Sequence, residues 1–278
     1  MASKTYPAVA PTASALVALL LCASAFSLGD YTVTWVSPAK GIDTSMNVRI
    51  DYLVGPHTGR AMPPLATVDL VGWDVHQAIV DNVYAHTHDE ARDAFTLPGY
   101  VKSLIARGHL GNKTAEAGGF YRRLRQKDGT RLTFVLDPQA GTYGEPRDRR
   151  EIRVPFVEQM KALHRVGRYR EAMQVFLEAP GSEADLARRV VLGYVSYALN
   201  RVGPDEVVSR PLDADLIMGY GFNWAPPSAL VDLFGGAAAM DAMAKLDLKV
   251  PQVLLDLEPG ARLFDSAQTN VGRYFVGR

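Results

Sequence analysis

The chain has 278 residues, with 30 Lys and Arg against 30 Asp and Glu, 47% hydrophobic residues, 22% charged residues and one cysteine. A globular domain takes roughly 100–200 residues, so this length holds one large domain or two small ones, and the ordinary apolar and charged fractions exclude a disordered chain or a multi-span membrane protein. Zero formal charge removes the electrostatic footprint of a nucleic-acid binder, and Cys22 alone supports neither an intramolecular disulfide nor a cysteine-based zinc site.

Residues 13–28 read ASALVALLLCASAFSL, behind Lys4 and with small residues from Ala23 to Ala25, the pattern of a secretory signal peptide. The run is shorter than the roughly 20 apolar residues of a membrane span, and Leu21 stands where a lipoprotein signal carries a small residue before its cysteine. Residues 1–47 are read as a leader, signal-like or disordered, on a cytoplasmic chain without a stable membrane span; export is the alternative.

From Ser45 to Gly72 short apolar groups alternate with Gly and Pro, which predicts short helices with tight turns. Asp74 to Tyr84 places Val75, Ala78, Ile79 and Val83 at helical spacing, and Pro98 to Arg107 forms a second amphipathic helix with Gly108 as its stop. Between Tyr121 and Arg153 the helical pattern breaks: Asp128-Gly129 supplies a turn and Leu132 to Leu136 a short β-like run, read as a linker or a small hairpin. Helical rhythm returns over Pro155 to Leu177, interrupted at Gly167, and Glu183 to Asn200 reads as a central packed helix.

The two halves echo each other. Pro63 to Gly72 (PPLATVDLVG) aligns without a gap with Pro226 to Gly235 (PPSALVDLFG), sharing both prolines, the Val, the Asp, the Leu and the final Gly, with Val71 facing Phe234. Upstream, IDYLVGPHTGRAM and DADLIMGYGFNWA each have an acidic start, an apolar turn and a Gly-rich loop once one residue is gapped. These features predict two copies of one helical unit. Asp69 and Asp232 are read as structural, capping or orienting a helix near the glycine.

These segments, together with LIARGHLGNKTAEAGGFYRR (residues 104–123), resemble the C-terminal helical domain of 3-hydroxyacyl-CoA dehydrogenases, in which a D-x-x-G-x-D helix end precedes a G-x-K-T-G-x-G-F-Y loop. The loop departs from that pattern in the inserted Ala115-Glu116-Ala117, and the second half departs in Ala225-Pro226-Pro227. The resemblance covers roughly residues 48 to 278. It implies an all-α fold of two 6-phosphogluconate-dehydrogenase C-terminal-like repeats with a short β-containing connector: 48–124, the connector 125–154, and 155–278. It further implies the substrate-side and dimerisation part of an NAD-dependent enzyme of fatty-acid β-oxidation, acting on acyl-CoA. The NAD-binding Rossmann domain and its catalytic His–Glu pair are absent from the read sequence, so the chain is expected to bind no cofactor alone, to be inactive alone, and to work with a separate NAD-binding subunit and as a homodimer. A truncated product is a further possibility, and the contrasting reading is a non-enzymatic binding module that reuses the helical unit.

No catalytic residue is assigned. Lys113, Thr114 and Tyr121, on the loop that carries the resemblance, and Asn223, in the Gly-rich segment of the second half, are the candidates for substrate binding or for a domain interface. Gly219-Tyr-Gly221-Phe-Asn-Trp224 has Trp where a dinucleotide fingerprint needs its third glycine, and is read as a loop. His86 and His88, with His76 upstream, lack a completing carboxylate motif and are not read as a metal site. The Arg122, Arg123, Arg125 and Lys127 run is read as a solvated basic face.

Overall fold

The computed structural model describes residues 50–137, 141–144, 153–265 and 270–275; the signal-like segment 13–28 lies outside them. The chain is mostly helical, with a small antiparallel sheet inserted between two groups of helices.

Residues 50–53 are helical and lead through a short 3-10 turn, Pro56–Thr58, to α1 (Pro64–Val71). Pro64 suits the first helical turn, where its missing N–H has no intrahelical partner to lose. Gly72 closes α1 and opens α2 (Trp73–His86) without an intervening loop. After a second 3-10 turn, Arg92–Ala94, Pro98 caps α3 (Gly99–Ala106), so the predicted amphipathic helices are present with slightly shifted ends.

The break in helical rhythm becomes β1 (Tyr121–Arg125), β2 (Arg131–Asp137) and β3 (Thr142–Tyr143), paired antiparallel in chain order. Gly129, at φ 87°, makes the turn expected from Asp128-Gly129. Arg131–Asp137 extends the predicted apolar run by one residue at each end.

The second group holds α4 (Pro155–Arg165), α5 (Tyr169–Glu178), α6 (Ser182–Asn200), α7 (Pro211–Leu216), α8 (Pro227–Phe234), α9 (Gly236–Lys245) and α10 (Gln252–Leu255). Gly167, at φ 75°, separates α4 from α5 where the rhythm faltered. In α6 the stripe of Ala187, Val191, Val195 and Ala198 is buried, and Leu192 and Leu199 are buried on the other side, so the helix is enclosed nearly all round toward its end. Each such Val or Leu contributes about 1.5–3 kcal/mol by leaving water.

Two apolar cores result. One gathers residues of α1–α3 and the hairpin, including Leu65, Val80, Phe95, Tyr121 and Leu136, with Tyr197 reaching in from α6. The other is built on α4–α10 around Met160, Phe176, Val195 and Phe234, and takes Leu53 and Val54 from the first half. Among the described residues no helix is long and apolar enough to cross a membrane.

Candidate functional site

The residues that carried the sequence argument meet around two buried aspartates. α1 starts with two prolines and has no cap from its own N-terminal side chain. Asp51 supplies one from the preceding turn: its Oδ1 accepts from Leu65 N at 2.7 Å and its Oδ2 from Ala66 N at 3.0 Å. A carboxylate here satisfies orphan amides and meets the positive end of the helix dipole. The Tyr121 hydroxyl donates to the same Oδ2 at 2.8 Å.

Asp69, on α1, holds the glycine loop. Its Oδ1 accepts from Phe120 N and Trp73 Nε1, and its Oδ2 from Tyr121 N, each at 2.8 Å. Its backbone carbonyl accepts from Asn112 N at 2.8 Å. Burial pushes the Asp69 carboxyl above the usual carboxylate range, and these donors pull against that shift. The loop glycines follow from this clasp. A Cβ at Gly111, itself at φ 88°, would strike the Asp69 backbone, and one at Gly119 would strike its carboxylate. Asp69 thus clamps a segment distant in the chain, a contact that the expected capping or orienting of a helix near the glycine did not include.

Aspartates of the second half make some comparable contacts. α8 also opens with two prolines and lacks a cap of its own, and Asp215 Oδ1 accepts from Ser228 N at 2.9 Å. Asp232, placed on α8 as Asp69 is on α1, accepts from Leu263 N at 2.9 Å, Phe264 N at 3.3 Å and Arg262 Nε at 3.2 Å. Gly235, like Gly72, ends one helix and starts the next. The two Gly-rich loops then pair with each other. Arg60 and Trp224 form an antiparallel bridge, Ala225 N donates to Gly59 O at 2.7 Å, and the Arg60 guanidinium lies 3.9 Å from the Trp224 ring centroid. Arg60 is buried; burial pushes its guanidinium down to about 9, with the Asp51 charge opposing.

Each predicted residue has a definite place. Lys113 is exposed and pairs with Asp74 at the start of α2, and this pairing holds the Asp74 carboxyl below its ordinary value. Thr114 Oγ1 accepts from Leu110 N at 3.0 Å and donates to Gly111 O at 3.2 Å, which closes the loop on itself. Tyr121 is buried, its backbone on Asp69 and its hydroxyl on Asp51. The structure thus brings Lys113, Thr114 and Tyr121 into one clasp. Asn223 stands on the other loop, exposed and in the left-handed region at φ 54°, with its carbonyl accepting from Ala61 N at 3.4 Å.

Sequence reasoning did not single out Asp51, Asp215 or Arg60 as individual contacts. The only signal was the shared acidic start and Gly-rich loop. The Gly219/Gly221 run does not fit a dinucleotide: it lies in a π-helical turn, Ile217–Gly221, that continues α7 with no strand before it. The Tyr274 hydroxyl also fills the space over Gly219, 2.5 Å from where a Cβ would sit. His76 is buried edge-on against Trp73, and burial pushes its imidazole down to about 4. Among the described residues no group of His, Cys, Asp and Glu converges as a metal site.

Comparison with known proteins bears on the same stretch. Residues 43–123 match the family model described as the 3-hydroxyacyl-CoA dehydrogenase C-terminal domain. This span contains Asp51, Asp69 and the whole glycine loop. A protein named "Probable 3-hydroxyacyl-CoA dehydrogenase" from Bacillus subtilis (strain 168) is 24% identical over 204 residues, covering 73% of this chain and 24% of the relative. The match thus spans about a quarter of that relative's length.

Proposed function

With residues 43–123 falling in the 3-hydroxyacyl-CoA dehydrogenase C-terminal domain family, we propose that this chain is the helical, substrate-side and dimerisation part of such an enzyme. The complete reaction is then the NAD-dependent oxidation of a 3-hydroxyacyl-CoA to the 3-oxoacyl-CoA in fatty-acid β-oxidation. On this reading the chain supports turnover when a nicotinamide-binding half of such a dehydrogenase is supplied.

The observation that carries the reading is the clasp itself. The loop quoted for the resemblance is the one that Asp69 holds by two backbone amides, and the matched span ends just past it. The parallel contacts of Asp215 and Asp232 support a second copy of the same unit, of the 6-phosphogluconate-dehydrogenase C-terminal type. On this reading Lys113, Thr114, Tyr121 and Asn223 frame the surface that meets the acyl-CoA or the partner domain. Tyr121 acts from beneath by fixing the loop, whereas Lys113 and Asn223 are exposed.

The test follows NADH absorbance with acetoacetyl-CoA as oxidant, using the purified full chain alone and with a separately expressed nicotinamide-binding half of such a dehydrogenase. Turnover is expected only with both chains present. Turnover by this chain alone, or no turnover together with no binding of acetoacetyl-CoA, would overturn the proposal.

A further inference from the structure

The hairpin that packs into the first core carries a feature that the clasp does not use. The face of β1 that is buried at Tyr121 runs into solvent through Arg123 and Arg125, because alternate residues share a face. In the antiparallel register Arg125 lies directly opposite Arg131, and Arg123 opposite Thr133. Three guanidinium groups and a hydroxyl therefore share one side, with Lys127 in the adjoining turn.

Like charges directly opposite on paired strands destabilise the pair by a few tenths of a kcal/mol to about 1 kcal/mol. Among the described residues Arg123, Arg125, Lys127 and Arg131 have no carboxylate ion pair within 4 Å, although Arg123 also feels the Asp69 charge. Asp128 accepts from Thr130 N at 2.8 Å within the turn. Arg123 is held in place, its NH1 donating to Asn112 Oδ1 at 2.7 Å and its guanidinium 5.1 Å from the Tyr121 ring centroid. In a chain with zero formal net charge, this cluster is a local concentration of donors.

We propose that this face of the hairpin binds a ligand carrying two adjacent phosphoryl groups, which Arg125 and Arg131 grip from opposite strands while Arg123 and Thr133 complete the contact. Side chains about 5 Å apart across the strands and about 7–8 Å apart on the diagonal span a pyrophosphate better than a single carboxylate. The guanidinium fork matches phosphoryl oxygens in a bidentate manner. This surface stands independently of the dehydrogenase reading.

Calorimetric titration of the full chain at low salt, with pyrophosphate, inorganic phosphate, ADP and adenosine, tests it. Saturable pyrophosphate binding that weakens with added salt is expected. It should fall at least tenfold in the double variant Arg125→Ala/Arg131→Ala and stay unchanged in Arg170→Ala, an exposed arginine outside the hairpin. Arg131→Thr separates binding from folding, since it removes the opposed charge and suits a strand: binding should weaken while the urea midpoint holds or rises. ADP binding tighter than pyrophosphate assigns the surface to nucleotides, and equal affinity assigns it to free polyphosphate; either supports the proposal. No saturable binding at millimolar pyrophosphate, wild-type affinity in the double variant, or inorganic phosphate binding as tightly as pyrophosphate would sink it.

Discussion

Asp51 and Asp215 perform the same capping task in different company. Asp51 spends both oxygens on backbone amides and receives a tyrosine hydroxyl as well. Asp215 has one amide donor on Oδ1, while its Oδ2, the Ser228 hydroxyl and the Tyr274 hydroxyl are buried with no hydrogen-bond partner among the described residues. Burial pushes the Asp215 carboxyl up to about 6, Ser228 donation opposes this, and the neighbouring Asp232 charge adds to it. The folded value thus lies above the ordinary 3.8, so the folded state holds the proton more tightly between the two. This group's contribution is fully present below about 4 and is lost as pH rises through about 6, at most about 3 kcal/mol between the limits. His57 and His76 work the other way, because burial pushes them down to about 3 and about 4, and their contribution is lost as pH falls from the ordinary 6.5. Asp215→Asn keeps an acceptor for Ser228 and removes only the titration. In urea unfolding from pH 4 to 7, wild type should lose stability relative to this variant as pH rises; a constant difference would show that Asp215 titrates normally.

Elements are joined here by glycines that no other residue replaces cheaply. Gly72 has φ 104° and ψ 133°, and Gly235 φ 87° and ψ 127°; each ends one helix and begins the next. Side chains rarely adopt that backbone conformation, and forcing one there costs about 1–3 kcal/mol. Gly235→Ala isolates the strain, since a Cβ would meet nothing within 4 Å. At Gly72 the Cβ would also meet the end of Lys113, 2.8 Å from its Nζ, and Asp74 Oδ1 at 3.0 Å, but both are exposed side-chain ends that can swing away. Thermal unfolding should therefore place both variants about 1–3 kcal/mol below wild type, with Gly72→Ala matching Gly235→Ala in a Lys113→Ala background. A much larger loss at Gly72 would mean that the Lys113–Asp74 pair fixes the joint. The helices themselves were legible, because apolar spacing at 3.6 residues reports a buried face wherever the partner lies. Gly167 and Asp128-Gly129 were legible for the same local reason. The clasp was not: Asp69 binds amides of Phe120 and Tyr121, and any residue type but proline could present those amides. Its only trace in the sequence is the glycine spacing that gives the aspartate room.

Between the two apolar cores run polar contacts as well as apolar ones, and composition and periodicity do not encode the polar ones. One such contact is the Arg60–Trp224 loop pair, and another is the His164 ring nitrogen on the His57 carbonyl at 2.9 Å. The largest is at the end of α6. Arg201 NH1 donates to Asp89 Oδ2 at 2.7 Å, its NH2 reaches both oxygens of Glu90 at 2.9 and 3.0 Å, and the Tyr197 hydroxyl donates to Asp89 Oδ2 at 2.9 Å. Lys249 stands 3.6 Å from Glu90 at the edge. Asp89 and Glu90 belong to the turn that closes the first core, whereas Arg201 directly follows α6 of the second, so this network is a latch between them. Arg201 is buried, and removing one partner of a buried ion network leaves uncompensated charge, at a cost of about 3 kcal/mol. Arg201→Ala should lower stability by about that amount, and Tyr197→Phe by about 1 kcal/mol for the lost hydrogen bond. Hydrogen exchange distinguishes a latch from a keystone. With a latch, amides of residues 87–95 lose protection in Arg201→Ala while those of α8 and α9 keep theirs. Uniform loss across both groups of helices would mean that α6 binds the two cores into a single cooperative unit, and that the latch is only one of its many contacts.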